Sequence, residues 1–168
     1  MARGNKILIT SEPRGRFEEI VVAGTPKPGT CMYPKNTANV QGHRTMEPAG
    51  TTAALGMGAD GDMIPVAVLL SSLDHAAAPP GKIATDAYAD GDLGVVYYPV
   101  EGDELNVLFL NAAGTADDVT LGMKMIIDDG TGQILPTAGT VESEPFVARE
   151  AFTDPTADKL LWMVFTGE

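Results

Sequence analysis

The chain has 168 residues, of which 44% are hydrophobic and 20% charged, and its formal net charge is −12. This length and composition are typical of one globular domain with or without an extension, and no apolar run is long enough to span a bilayer. Because wrapping nucleic acid requires clustered lysine and arginine, an isoelectric point near 4.4 argues against DNA or RNA as a partner. The single cysteine, Cys31, excludes an intramolecular disulfide framework and points to a reducing compartment.

Charge is distributed unevenly along the chain. Residues 1–44 carry seven of the eleven basic side chains and three acidic ones, a net +4, whereas the remaining residues carry four bases and twenty acids, a net −16. The basic segment is also rich in glycine and proline, and proline fixes φ and removes a backbone donor. We therefore predict an extended basic N-terminal arm over residues 1–45 and an acidic body over residues 46–168.

Short strands are predicted along the whole chain. The arm contains one clear strand at residues 6–10 and a second near residues 19–23. Apolar runs bounded by Gly, Asp, Asn or Pro predict further strands at residues 64–70, 93–100, 105–110, 119–127 and 160–165. Residues 129–132 (DGTG) supply a hairpin turn before residues 133–135, and residues 154–159 are expected to form one helical turn. This pattern indicates an all-β fold, a compact barrel or sandwich.

Two kinds of turn imitate functional motifs. Residues 56–61 satisfy the G-x-G-x-x-G pattern, but Pro65 opens a strand where the dinucleotide fingerprint requires a helix, so we interpret the segment as a glycine-rich turn. Pairs of aspartates at four turns offer oxygen ligands for Ca²⁺ but lack the spacing of an EF-hand loop. Solvated turn carboxylates are the favoured interpretation, and an adventitious calcium site is the alternative.

No group of residues forms a convincing catalytic or metal site. One cysteine and two distant histidines, His43 and His75, do not complete a zinc site. Cys31 with His43 could form a nucleophile pair, but both fall in the arm, where preorganisation is poor. Ser71 lies near Asp74 and His75 at spacings that suit no hydrolytic triad. We expect neither enzyme activity nor a bound cofactor or metal.

Five segments resemble one family of structural proteins. They are residues 4–13 (GNKILITSEP), 24–30 (GTPKPGT), 81–93, 98–105 and 130–135. Together they resemble the head decoration proteins of tailed bacteriophages, also called capsid cement or stabilisation proteins. The resemblance spans nearly the whole chain and rests on the texture of strands and turns, not on a chemical signature.

The resemblance implies a fold and a role. Proteins of this kind have small β-barrel bodies, SH3-like or tulip-shaped, and commonly sit as trimers on the outer surface of an expanded head. Their arms reach along the shell formed by the major capsid protein. An extended arm can add a strand to a neighbouring sheet edge, and three arms on one trimer raise the effective concentration of each. Assembly in the cytoplasm of a host bacterium would agree with a lone cysteine.

We therefore predict a structural virion protein whose body forms a homotrimer and whose arm clamps the capsid shell, without nucleic-acid or membrane partners. The candidate capsid-contact residues are the cations Arg3, Lys6, Arg14, Arg16 and Lys27, which would face an acidic surface, and Ile7 and Ile9, which would support strand addition.

Two alternatives belong to other functional classes. A carbohydrate- or surface-binding β-module on a particle exterior would need an exposed aromatic platform, and neighbours Tyr97 and Tyr98 point to opposite faces of a strand, so at most one can serve. A small β-barrel hydrolase would need a coherent acid–base cluster in a pocket, and the sequence offers none.

Overall fold

The computed structural model describes residues 6–10, 12–35, 37–49, 66–76, 83, 85–110, 118–128, 130–136, 145–153 and 159–167. Within these ranges every regular element is a strand. The strands are β1 (Arg16–Val22), β2 (Cys31–Pro34), β3 (Arg44–Pro48), β4 (Ala67–Leu69), β5 (Leu93–Tyr98), β6 (Glu104–Leu108), β7 (Lys124–Ile127), β8 (Ile134–Pro136), β9 (Phe146–Ala148) and β10 (Leu160–Phe165).

Five strands close into a barrel in the order β1-β3-β2-β4-β5, and β5 pairs back onto β1. β1 and β3 run parallel, with Ile20 opposite Arg44, while the other barrel pairs are antiparallel. A parallel pair needs a long connection, and here that connection carries β2 before a hairpin returns the chain as β3. Closure leaves the barrel without a free strand edge.

The other five strands form an antiparallel sheet in the order β6-β10-β9-β7-β8. Both outer strands of this sheet have further backbone partners. Residues 6–10 lie beside β6 through a bridge between Leu8 and Leu105, and a parallel bridge joins Phe109 to Ile134 of β8. These contacts cover edges that would otherwise invite pairing with another chain.

Side-chain alternation divides the core into two apolar clusters. Along β5, Val96 and Tyr98 belong to the cluster inside the barrel, whereas Val95 and Tyr97 belong to a larger cluster shared with the second sheet. The adjacent strand β4 alternates in the same way. Because these strands are buried on both faces, their sequences are continuous apolar runs without polar alternation.

The predicted all-β barrel is confirmed, and so are most of the predicted strands. The runs at residues 93–100, 105–110 and 160–165 correspond closely to β5, β6 and β10. The run at residues 119–127 is a strand only from Lys124, because Leu121 and Gly122 form an exposed turn in which Gly122 has a φ of 83°. β2, β3 and β9 were not predicted, since they are short and two of them end in proline.

Residues 16–22 and 31–34, expected in an extended arm, are instead integral strands of the barrel, and β3 crosses position 45. The reason lies in the side chains of Ile20, Val22 and Met32, which are buried in the barrel interior. Burying a side chain of this size contributes roughly 1.5–3 kcal/mol. The prolines of this region lie in loops or at strand ends, where they interrupt little pairing.

Several predicted features lie outside the described residues. They are Arg3, the glycine-rich turn at 56–61 and residues 154–158 of the expected helical turn. In the part of the chain that is described, no helix has the length and apolar character needed to cross a membrane.

Candidate interaction surface

Three arginines lie at one end of the barrel, where β1 and β3 begin, and we call them the arginine face: Arg14, Arg16 and Arg44. Arg16 and Arg44 both approach one carboxylate, Glu18, with N–O distances of 2.9 Å from Arg16 and 3.8 Å from Arg44. The Arg16 guanidinium also lies 4.6 Å from the ring centre of Tyr98. One carboxylate shared by two guanidinium groups leaves a positive charge at this end of an acidic chain.

Arg14 is held by the turn before β6. Its Nη2 donates a hydrogen bond of 2.6 Å to the carbonyl oxygen of Glu101, and its Nε lies 3.9 Å from Oδ1 of Asp103. The Arg14 side chain is 64% exposed, whereas that of Asp103 is buried. Ion pairs with an exposed partner contribute about 0–1 kcal/mol and weaken in salt, so these contacts orient the cation more than they stabilise the fold.

A buried tyrosine–aspartate pair fixes the bend that carries Arg14 and Arg16. The Tyr97 hydroxyl accepts a hydrogen bond of 2.7 Å from the Gly15 amide and donates one of 2.5 Å to Oδ2 of Asp103. Burial, together with the Asp103 carboxylate, raises the pKa of Tyr97 to about 12. A Cβ at Gly15 would lie 2.0 Å from the Tyr98 carbonyl oxygen, so only glycine fits between the two arginines.

The N-terminal candidates are placed differently from expectation. Ile7 is fully buried, and its amide lies 2.9 and 3.0 Å from the two carboxylate oxygens of Asp74. The Leu8 amide donates to the same carboxylate at 2.8 Å, and the Ile9 amide donates to the carbonyl oxygen of Glu104. This segment therefore already pairs with its own chain, while the side chain of Lys6 is exposed.

Lys27 borders a cleft of about 230 Å³ between the barrel and the second sheet. Thr25, Thr30, Thr131 and Gln133 are among the other residues that line it. The residues predicted for capsid contact are thus divided between this cleft, the arginine face and the buried N-terminal segment.

The residues considered for catalysis serve structural contacts. Besides the amides of Ile7 and Leu8, the Asp74 carboxylate accepts hydrogen bonds from the amide and hydroxyl of Ser71. The His75 ring packs 4.9 Å from that of Phe17. Cys31 is buried, and burial raises the pKa of its thiol far above the ordinary range. Among the described residues, no three His, Cys, Asp or Glu side chains are grouped so as to hold a metal.

The hairpin that joins β2 to β3 was not predicted. The amides and carbonyls of Val40 and His43 exchange hydrogen bonds of 3.0 and 2.9 Å across a two-residue turn formed by Gln41 and Gly42. Both turn residues have positive φ, 53° and 85°, as a type I′ turn requires. The sequence distinguishes this segment in one way: no acidic residue lies between Glu19 and Glu47, in a chain that has 23 of them.

Comparison with known proteins identifies a structural relative. No family model and no curated protein match the chain. Among solved structures, the N base of the head fiber protein gp8.5 of bacteriophage phi29 aligns with a TM-score of 0.52 over 90% of this chain and 94% of that one. The two proteins share a fold. With 11% sequence identity the likeness is one of backbone path: in fold, this chain resembles a phage head protein, as the sequence resemblance predicted.

Proposed function

We propose that the protein is a structural component of a tailed-phage virion that decorates and stabilises the outer surface of the expanded head. The observation that carries this proposal is the likeness of fold to the head fiber base of phi29, which extends over nearly the full length of both chains. The resemblance of sequence texture to head decoration proteins points the same way. The role is structural and not enzymatic, in keeping with the half-buried Asp74, which accepts from backbone amides, and the buried Asp103, which accepts from a tyrosine.

The proposed partner is the major capsid protein, contacted by the arginine face. Arg14 and Arg16 are largely exposed, with side-chain exposures of 64% and 66%, and a bend at Gly15 fixes their direction. A cationic end on a chain of net charge −12 favours one orientation on an acidic shell and speeds encounter with it.

Trimerisation is the second part of the proposal. A contact built on a few exposed cations is weak alone, because each exposed ion pair contributes about 0–1 kcal/mol. Three copies of that contact in one homotrimer would bind jointly, and their effective concentration would compensate for the weakness of each. The proposed place of assembly is the cytoplasm of a host bacterium, a reducing compartment that suits the free thiol of Cys31.

Head binding is the direct test. Purified protein is incubated with expanded heads that lack it and with unexpanded proheads, and bound copies are counted after sedimentation at low and high salt. We expect saturable binding to expanded heads that weakens with salt. If the protein binds neither the expanded heads nor the proheads, the capsid role is wrong.

A double variant tests the arginine face. Arg14→Gln with Arg16→Gln removes both charges without placing a new carboxylate beside Asp103, and we expect lower occupancy and a shallower salt dependence. Arg149→Gln is the matched control, because Arg149 is exposed on the second sheet, away from the arginine face. Equal salt dependence in the double variant and the control would show that the arginines do not carry the contact.

A further inference from the structure

The hairpin between β2 and β3 extends beyond the wall of the barrel. β2 pairs with β4 only at Cys31 and Met32, and β3 pairs with β1 only from Arg44 onward. Beyond these limits, the described backbone contacts between the two segments are the hydrogen bond from the Lys35 amide to Thr45 and the isolated pair of Val40 with His43. All described residues from 35 to 42 are exposed. We call residues 37–43 the ribbon: a loop beyond the last barrel pairs, closed by one isolated bridge, in which every residue except the half-buried His43 is exposed.

At the tip of this ribbon the backbone adopts a conformation that is unfavourable for the residue that occupies it. Gln41 is the only non-glycine residue with a positive φ among the residues that the structure describes. Type I′ turns favour Asn, Asp or Gly at this position, since short polar side chains tolerate the left-handed region and glutamine does not gain the same local hydrogen bond. A residue kept in an unfavourable conformation at an exposed tip suggests selection for contact in preference to folding.

The chemistry of the tip differs from that of the rest of the surface. Val40 is 46% exposed beside the uncharged Gln41, and no acid occurs in the 27 positions from residue 20 to residue 46. Cations flank the ribbon at its base, where Lys35 and Arg44 point toward Glu47 and Glu18. An aliphatic group and an amide at the apex, with ion-paired cations behind them, complement a crevice that has an apolar floor and polar walls.

We propose that the ribbon formed by residues 37–43 inserts into such a crevice on the partner protein, with Val40 on the floor and the Gln41 amide bonded to polar groups of the wall. This inference rests on the proposed function, in which the partner is the head shell. A preformed turn loses little conformational freedom on insertion, so a small contact contributes efficiently to affinity. The arginine face lies beside the base of the ribbon through the contact of Arg44 with Glu18, so both would meet the same surface.

Two substitutions separate folding from binding at the tip. Gln41→Asn suits the left-handed turn better, so we expect a higher melting temperature together with about tenfold weaker binding to expanded heads. Val40→Thr keeps the shape of the side chain, and we expect an unchanged melting temperature with similarly weakened binding. The matched control is Leu121→Thr, since Leu121 is a 69% exposed aliphatic residue in another turn and should alter neither quantity.

The outcomes are distinguishable. If the wild-type protein binds heads and both tip variants bind equally well, the ribbon is not the inserted element and only this inference fails. If the wild-type protein does not bind heads, the proposed function fails and the inference fails with it. The ribbon could instead contact a second copy of the chain. Sedimentation equilibrium of the same variants without heads tests this: if the tip variants lose self-association, the ribbon lies between copies and the inference is wrong.

Discussion

Two hairpin turns of this molecule contain glycine in the left-handed conformation, but their surroundings differ. The turn between β7 and β8 is packed onto the barrel, where the carbonyl oxygen of Gly132 accepts a hydrogen bond of 2.7 Å from the Cys31 amide and the Gly130 amide donates to Ala49. In the turn between β2 and β3, the described backbone hydrogen bonds join Val40 and His43 to each other, and a Cβ at Gly42 would meet nothing within 4 Å. At Gly132 it would lie 2.3 Å from the Cys31 carbonyl oxygen.

The difference separates two reasons for a glycine. At Gly42, glycine serves only the backbone conformation, whose φ is 85°. At Gly132 it serves both a φ of 66° and a close approach between the barrel and the second sheet. Segments packed by close contact are therefore expected to tolerate little change, and the ribbon is expected to tolerate much, so far as folding is concerned.

The largest effect is expected at the packed turn. Gly132→Ala combines a left-handed residue with a clash against backbone, so we expect a loss of about 3 kcal/mol in the free energy of unfolding, measured by urea denaturation. The matched control Gly42→Ala has the conformational cost alone, about 1 kcal/mol. Equal losses at the two positions would remove the distinction between the hairpins.

A second packed segment is the N-terminal one, held by Asp74. Asp74→Ala leaves the amides of Ile7 and Leu8 without their acceptor, so we expect a loss of about 2 kcal/mol and faster hydrogen exchange at those two amides. Asp86→Ala is the control, because Asp86 is exposed in a turn. Unchanged exchange at residues 7 and 8 would mean that pairing with β6 holds the segment without the carboxylate.

Alkaline pH should act on the core and spare the ribbon. Burial raises the pKa values of Tyr88 and Tyr97 to about 12, above their ordinary value, so the native state keeps two protons that the unfolded chain releases. Stability contributed by these groups is complete below about pH 10 and falls as pH rises from about 10 to about 12. Tyr97→Phe should make that fall shallower in denaturation at a series of pH values, whereas Val40→Thr should leave its slope unchanged.

The smallest effect is expected at the base of the ribbon. Glu47 accepts from the Tyr33 hydroxyl at 3.1 Å and lies 3.2 Å from the Lys35 ammonium, in a partly exposed setting. Glu47→Gln should therefore change the free energy of unfolding by less than about 0.5 kcal/mol, and by less still in high salt. A loss above 1 kcal/mol would show that the ribbon is anchored more firmly than its contacts indicate.

The sequence predicted the strands whose apolar side chains are buried or half-buried on both faces. Continuous apolar runs such as those of β5 and β10 carry that information directly. The turn at residues 129–132 was also predicted, because its glycines and aspartates favour a hairpin, and β7 and β8 pair across it. Strand order could not be predicted, since the parallel pairing of β1 with β3 depends on contacts between distant residues.

The candidate surface was predicted less well than the fold. Proline and positive charge in the first 45 residues indicated an arm, but the burial of Ile20 and Val22 inside the barrel outweighs that local signal. Ile7 was predicted to support strand addition, but no local pattern in the sequence indicates that Asp74, 67 positions away, binds its amide. The ribbon was not predicted because Gln41-Gly42 is not a favoured pair for a hairpin turn. The unfavourable conformation of Gln41 is also the property that distinguishes this turn in the structure.

The position of Cys31 gives the protein an internal reporter of its own opening. The residue lies where β2 meets the turn at residues 130–132, and burial keeps its thiol protonated and inaccessible. A thiol reagent can therefore modify only those molecules in which barrel and second sheet have separated at this junction. The labelling rate under native conditions measures how often that separation occurs, without any probe being introduced.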